Sequence, residues 1–443
     1  MDSKNPENNN IDQNLMTLDG KVNPLKTIPY AIQHILALFV TNLVPIWTIA
    51  AIPNCNISDE MTLVLSQNAM IISGIATLIQ CTPIWKLGSG LPIFMGASFT
   101  FMIPLMSVAT KYGYGAVVGT VLVGGCFEGL LGLTARFWKK MVAPIVSATV
   151  VTGIGLSLLS SATRSFGGGY AEDYGAIHYL VIGTVTILAA ILWQVFVKGG
   201  RKQLAILVGL VVGYLTAIPF GIVQFPDFSG VRLFALPRIL PFKPEFHLDA
   251  IISICIIYLV SATETIGDVS AITSGALNRD FSPEEVSGAL AIDGFGSLLG
   301  GLIGVPPITS YSENVGITIM TKVVNRNVAR VGAVIMILGG LFPPLAYFIK
   351  TVPTSVIGGV LLVVIGQIVV SGFQMVSDAG FTPRNKLIAA LSLAIGIGFT
   401  ASTESGIWSG MPTAIQSIFG QNVVAVIFVM ALFLNLVLPK NME

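Results

Sequence analysis

Long, uninterrupted apolar stretches recur along this chain, and they constrain its fold more than any other feature. A helix rises about 1.5 Å per residue, so about 20 apolar residues cross the hydrocarbon of a bilayer. Runs of this kind lie near 28–52, 62–83, 115–134, 142–162, 176–197, 203–223, 249–275, 284–304, 328–349, 353–373, 386–402 and 420–438. Two further segments, 90–109 and 306–322, are shorter or interrupted. The sequence therefore predicts an all-α polytopic membrane protein with fourteen transmembrane segments. Composition removes the alternative of a large soluble enzyme with an apolar core. Only 10% of the residues are charged, against about 25% in soluble domains, which is too few to cover a water-exposed surface.

Charge placement sets the expected orientation. Residues 1–27 are polar and rich in Asn, and they are predicted to form a disordered cytoplasmic tail with no signal peptide. If the chain starts in the cytoplasm and alternates sides, 17 of its 23 Lys and Arg residues fall on the starting side. Among them are the clusters Arg136, Lys139 and Lys140, and Lys322, Arg326 and Arg330. The other six are Lys111, Arg164, Arg232, Arg238, Lys243 and Lys350. The positive-rich side of a multi-pass protein faces the cytoplasm, so both termini are expected inside the cell membrane. The net charge of +1 points to no nucleic-acid partner. The four cysteines (Cys55, Cys81, Cys126 and Cys255) lack metal or redox spacing, and no metal or cofactor is expected. Asn56-Ile57-Ser58 is a glycosylation sequon by pattern, relevant only in a secretory pathway.

The longest connection, 224–248, holds Pro226, Pro237, Pro241 and Pro244 and divides the chain into seven spans plus seven. Halves with an odd number of spans have opposite orientations, which is the topology of an inverted repeat. The two interrupted segments hold the third rank in each half. One runs from Gly90 through Pro92, Gly96, Ala97 and Ser98 to Phe99; the other runs from Pro306 and Pro307 through Ser310 and Ser312 to Glu313. Each shows an early Pro, then an extended-looking stretch, then a helix starting at Ser. Pro92 precedes Phe99 by the same interval as Pro306 precedes Glu313. Non-helical backbone at membrane depth is tolerated only where protein or a watery cavity covers it, and a half-helix aims its unpaired N–H groups at that cavity. Matched interrupted segments are therefore pointers to a transporter's binding site; the structural alternative is a pair of Pro-kinked helices.

An ionisable group inside a span costs at least about 2.5 kcal/mol, so each is a functional candidate. Glu264 lies roughly 22 Å into its span at the rise of a helix, and Asp268 follows on the same face. Two such carboxylates in low dielectric do not both ionise easily, which suits a proton-coupled carrier; the alternative is that one of them braces a neighbouring helix. Glu313 stands at a half-helix start, where it either meets the ligand or caps the helix. Its neighbour Asn314 offers donor and acceptor together. Gln33 and His34 in the first span, and Asp293 in the ninth, are read as bracing or coupling residues. Glu128, between Gly125 and Gly129, is read as structural.

These residues resemble the nucleobase-ascorbate transporter family, also called nucleobase:cation symporter-2. Its signature is Gln, Glu or Pro, then Asn-x-Gly-x-x-x-x-Thr, then Arg, Lys or Gly. The run from Glu313 and Asn314 through Gly316 and Thr321 to Lys322 matches every specified position. Gln33-His34, the run Thr263 to Asp268, Asp293 and Gly96-Ala97-Ser98-Phe99 also look like family positions, and the resemblance covers about 25–438. It implies two inverted seven-span repeats. A core (28–134 and 249–350) would hold the substrate beside a gate (135–223 and 351–443), and a homodimer would form through the gate.

The resemblance further implies that Glu264 and Glu313 bind the polar edge of a base and that Phe99 stacks on its ring. Backbone around Ala97, Ser98, Ser312 and Glu313 would complete the site. Asp268, Asp293 and His34 would serve coupling or orientation, with protons favoured over sodium as the coupling ion. Asp268 resembles the xanthine and urate branch. Glu313 resembles the uracil branch and some broad-specificity members, and the absence of Pro there argues against ascorbate. An oxopurine such as xanthine is the expected substrate, with uracil or a broader range of bases as the alternative. Anion exchange on a related fold is disfavoured, because paired carboxylates repel an anion. A membrane-embedded enzyme lacks any nucleophile-base pair or phosphate loop, and a channel lacks a filter-like repeat.

Overall fold

The computed structural model describes residues 13–135, 143–198, 204–223, 232–401, 407–420, 422–439 and 442. Residues 1–12, the basic cluster at 136–140 and part of the long connection, 224–231, lie outside them. The first half holds α1 (Pro24–Ala50), α2 (Asp59–Cys81), β1 (Met95–Ala97), α3 (Met102–Tyr112), α4 (Tyr114–Leu133), α5 (Pro144–Phe166), α6 (Ile177–Phe196) and α7 (Ala205–Ala217). The second half holds α8 (Leu248–Gly275), α9 (Pro283–Leu302), β2 (Ile308–Ser310), α10 (Ser312–Thr321), α11 (Arg326–Gly340), α12 (Pro343–Lys350), α13 (Thr354–Asp378), α14 (Pro383–Ala401), α15 (Thr413–Phe419) and α16 (Val423–Val437). Local chemistry sets the starts. Asn23 accepts from the Leu25 N–H ahead of Pro24, and Ser282 and Glu285 form a reciprocal capping box ahead of α9.

Seven helices among the described residues are long and apolar enough to cross a membrane: α1, α2, α4, α5, α6, α8 and α13. The chain is a mostly helical, multi-pass membrane protein. Its helices pack in exchanged pairs, with α2 along α11, α4 along α9 and α5 along α13. Glycine makes two of these crossings tight. A Cβ on Gly294 of α9 would stand 2.0 Å from the Gly129 nitrogen of α4, and one on Gly74 of α2 would stand 2.6 Å from the Ala333 oxygen of α11.

Between these pairs the two interrupted segments meet. β1 and β2 run antiparallel, with Met95 opposite Ser310, Gly96 opposite Thr309 and Ala97 opposite Ile308. Two bonds extend the ladder symmetrically: the Ser98 N–H donates to the Pro307 oxygen, and the Tyr311 N–H donates to the Phe94 oxygen, both at 3.0 Å. The local two-fold thus passes through the Gly96–Thr309 pair. It matches Ala97 with Ser310 and Thr100 with Glu313, whereas the equal spacing from Pro92 and Pro306 aligns Phe99 with Glu313. Gly96 is required by close approach, since a Cβ there would meet the Tyr311 ring at 2.9 Å and Asn42 Oδ1 at 3.0 Å.

Three expectations need correction. The helix of the first interrupted segment begins at Met102, not at Ser98, because Phe99–Phe101 form a tighter 3-10 turn first. The run 328–349 is two helices; Pro343 and Pro344 cannot continue α11, which ends at Gly340. Residues 13–27, expected to be disordered, are folded. Leu15 and Val22 pack with Ala31, Val323 and Val328. The Asn325 side-chain amide donates to the carbonyls of Asn14, Thr17 and Gly20, and Arg326 pairs with Asp19 at 2.5 Å. Two buried apolar residues and a carbonyl-binding Asn hold a segment whose overall composition reads as a tail.

Candidate functional site

Helix α8 passes beside the strand crossing and presents Glu264 and Asp268 one turn apart. Glu264 Oε2 accepts a hydrogen bond from Thr100 Oγ1 at 2.7 Å, and Asp268 Oδ2 accepts one from Ser310 Oγ at 2.6 Å. One helix is thereby tied to both interrupted segments, through one carboxylate each. Glu313 enters from the first turn of α10, close enough for its charge to act on those of Glu264 and Asp268. The Ser312 hydroxyl lies against Asp268. Glu264, Asp268, Glu313 and Ser312 are therefore brought together where the two strands cross, and Phe99 is buried in the turn that leads from β1 to α3.

Asp293 stands behind this group. It is fully buried on α9 and takes the Thr265 hydroxyl as a donor. Thr265 Oγ1 also lies 3.2 Å from Ser310 Oγ. With Thr265 donating to Asp293 and Ser310 to Asp268, no hydrogen lies between the two hydroxyls; a protonated Asp293 donating to Thr265 frees the Thr265 hydrogen for Ser310 and completes a run to Asp268. Asp293 Oδ1 has no hydrogen-bond partner.

The remaining expected residues brace the frame. His34 is buried on α1, with its ring stacked on Phe94 at 4.6 Å. Asn314, expected at the ligand's edge, directs its Nδ2 at the His34 carbonyl oxygen, 3.4 Å away, joining α1 to α10, and its Oδ1 lacks a well-formed hydrogen bond. Gln33 is half-buried beside His34. The backbone N–H groups of Ala97 and Ser98, expected to face substrate, are occupied: Ala97 donates to Asn42 Oδ1 at 2.7 Å and Ser98 to Pro307. Buried backbone donors are paired wherever a partner can reach, and the strand crossing supplies one.

Four site residues escaped the sequence reading: Asn42, Thr100, Thr265 and Ser310. Thr and Ser are common inside spans, where they often bond their own helix, so they stand out little by type. Asn42 carried a signal, being an amide within an apolar run. A cavity of about 680 Å³ opens elsewhere, between α1, α5 and α13, and is lined by Trp47, Arg164, Tyr179 and Thr354 rather than by the acidic group.

Comparison with known proteins adds an independent line. The family described as Permease family (Xan_ur_permease) matches residues 25–405. A xanthine permease of Bacillus subtilis is 30% identical over 420 residues, covering 93% of this chain and 93% of that protein. The uric acid permease PucJ of the same organism is 29% identical over 94% of this chain and 93% of its own length. Among solved structures, the transmembrane domain of a cyanobacterial bicarbonate transporter, BicA, superposes with a TM-score of 0.61 at 16% identity, over 93% of this chain and all of that one. That last likeness concerns the fold.

Proposed function

This chain belongs to the Permease family, and on that footing we propose that it is a proton-coupled secondary transporter for nucleobase uptake, with an oxopurine such as xanthine as its substrate. The observation that carries the reading is the convergence of Glu264, Asp268 and Glu313 on the crossing of β1 and β2. The lactam and imide edges of an oxopurine offer N–H donors, and charge-assisted hydrogen bonds to carboxylates are the strong kind. Phe99 supplies a ring face for the base, and the first turn of α10 supplies N–H dipoles. Two relatives named for xanthine and uric acid, each aligned over more than nine-tenths of this chain, support the same class of substrate. Uracil is the second reading, favoured by Glu at the head of the signature. Anion exchange has only a distant fold likeness behind it, and three convergent acids repel an anion.

The mechanism follows from the division of labour around α8. Glu264 and Glu313 hold the base. Asp268 and Asp293, linked through Ser310 and Thr265, exchange the proton. His34, Gln33 and Asn314 keep α1 and α10 in register. The exchanged packing of α2 with α11 and α4 with α9, and the two-fold ladder, support fourteen spans in two inverted repeats. The core (28–134 and 249–350) then moves against the gate (135–223 and 351–443), with both termini in the cytoplasm and a homodimer through the gate. The cavity between α1, α5 and α13 lies where core meets gate, on the side by which the base enters. Counterflow in proteoliposomes tests the whole reading. Labelled xanthine should exchange with unlabelled xanthine and should accumulate when an inward proton gradient is imposed. Failure of xanthine, uric acid and uracil alike to exchange would overturn it.

A further inference from the structure

We propose that Glu128 is a proton-binding residue that shares its proton with Asp293, forming a coupling site behind the substrate-binding carboxylates; this rests on the proton-coupled reading above. Glu128, on α4, is fully buried, and the hydroxyl of Ser261 on α8 is the one donor beside it, out of line for a well-formed hydrogen bond to either carboxylate oxygen. On α9, Asp293 Oδ1 likewise lacks a well-formed hydrogen bond. Glu128, Ser261 and Asp293, from three helices, thus each carry a buried oxygen without a well-formed hydrogen bond.

The groups facing Glu128 are acidic or neutral from every side. α9 contributes Asp293; α8 contributes Glu264, Tyr258 and Ser261. The ionisable residues of α3, Lys111 and Tyr112, are engaged with Asp249 at the end of that helix. Among the described residues no ion pair includes Glu128. An ionised carboxylate with one hydroxyl beside it and no counter-charge at this depth is strongly disfavoured. Glu128 therefore holds a proton in this state, and the neighbouring acid that can take it is Asp293, whose Oδ1 lacks a well-formed hydrogen bond. Once Asp293 takes the proton and donates to Thr265, a hydrogen-bonded path runs through Thr265 and Ser310 to Asp268.

Helix packing does not account for the residue. The α2–α11 crossing repeats the α4–α9 crossing. Gly294 closes on Gly125 and Gly129, and Gly74 closes on Ala333 and Ile337 with the same spacing. The position before Gly129 is Glu128; the position before Ile337 is Met336, a buried apolar residue. The same contact forms with a thioether, so it does not call for an acid. A metal ion is a poorer occupant than a proton. No group of three or more His, Cys, Asp or Glu among the described residues could hold one, and α4, α8 and α9 are continuous helices here, without the unwound carbonyls that usually ligate sodium.

The test uses the full chain in proteoliposomes loaded with a pH-sensitive dye, with xanthine as substrate. In the unmodified protein, xanthine entry should carry protons inward. Glu128→Gln mimics the protonated acid. It should continue to exchange labelled xanthine while losing proton entry and losing accumulation against a gradient. Glu128→Asp should restore part of the proton entry. Ser261→Ala should move the pH dependence of proton entry and leave exchange unchanged. Proton entry per xanthine that is unaltered in Glu128→Gln would overturn the proposal. Should that variant fail to reach the membrane, an unmoved pH profile in Ser261→Ala would overturn it instead. Xanthine exchange in the unmodified protein with no proton movement, or with sodium replacing protons, refutes the coupling on which Glu128 depends and leaves the nucleobase site standing.

Discussion

The first interrupted segment, β1 with its turn into α3, and the second, β2 with α10, share one backbone plan and differ in charge. The two-fold of their ladder matches Ala97 with Ser310. The Ala97 N–H is held by Asn42 of α1, whereas the Ser310 hydroxyl is held by Asp268 of α8. The Met95 N–H is held by the Thr77 hydroxyl of α2, and its counterpart, the Ile308 N–H, by the Ser297 hydroxyl of α9. One turn before Thr77 stands Ser73, bonded to Asn42; one turn before Ser297 stands Asp293, bonded to Thr265. Thr100 matches Glu313. Thr77 and Ser297 keep the same neutral role in both halves, but where the first half carries Asn42, Ser73 and Thr100 the second carries Asp268, Asp293 and Glu313. The symmetric scaffold brings two broken segments together, and the chemistry has been placed on one side of it. On the proposed function the base contacts both halves, and the hydroxyl link between Asp293 and Asp268 lies in the second, with Glu128 of α4 beside it.

The largest expected effect comes from the acid that bridges the halves. Glu264→Gln keeps the shape and the bond from Thr100 and removes the charge. Charge-assisted hydrogen bonds contribute about 1.5–3 kcal/mol, so uptake should fall by about 10- to 150-fold. Initial rates of labelled xanthine uptake, normalised to membrane expression, would show this; wild-type rates would remove Glu264 from the site.

Placing a second charge in the neutral half comes next. Asn42→Asp retains the acceptor for Ala97 and Ser73 but adds a buried carboxylate where no cation compensates it. It should cost at least about 2.5 kcal/mol of stability, the low end for an acid at this depth. A drop of several degrees in Tm of the detergent-purified protein is expected, with impaired uptake. An unchanged Tm would mean that the two halves tolerate charge equally and that the asymmetry is incidental. Gly96→Ala attacks the scaffold itself. The added methyl collides with the Tyr311 ring and Asn42, and overpacking of this kind costs about 1–3 kcal/mol. Because the strand crossing serves both halves, stability and uptake should fall together.

Much of this was legible in the sequence. Span lengths fixed most helix ends to within a few residues, because about 20 apolar residues are a physical requirement of the bilayer. Paired prolines and glycines located the strand crossing, since broken backbone in a membrane needs a reason. Glu264, Asp268 and Glu313 stood out because acids in spans are costly. What stayed hidden depends on three-dimensional pairing. The one-residue offset that equates Thr100 with Glu313 is a property of the strand register. The pairing of the Ala97 and Ser98 N–H groups within the frame follows from which donor meets which acceptor. The docking of residues 13–23 rests on Asn325, more than 300 positions away, and no local composition records it.

The smallest effect expected is also the finest probe of the comparison. Thr100 and Ser310 each give one hydroxyl to a carboxylate of α8, one from each half. Asp268 has a second hydroxyl at hand in Ser312, so Ser310→Ala leaves it partly satisfied. The loss should be about 1 kcal/mol, or roughly fivefold in proton-driven uptake, which is the usual worth of one such bond. Thr100 is the hydroxyl donor to Glu264, and Thr100→Val strands a buried acceptor, a larger penalty of about 1–3 kcal/mol. The two variants should also differ in kind. Thr100→Val should raise the half-saturating xanthine concentration at every pH, because it disturbs a group that holds the base. Ser310→Ala should act mainly on the pH dependence, because it interrupts the hydroxyl path between Asp293 and Asp268. Identical pH profiles for the two variants would show that the halves are not divided between substrate and proton.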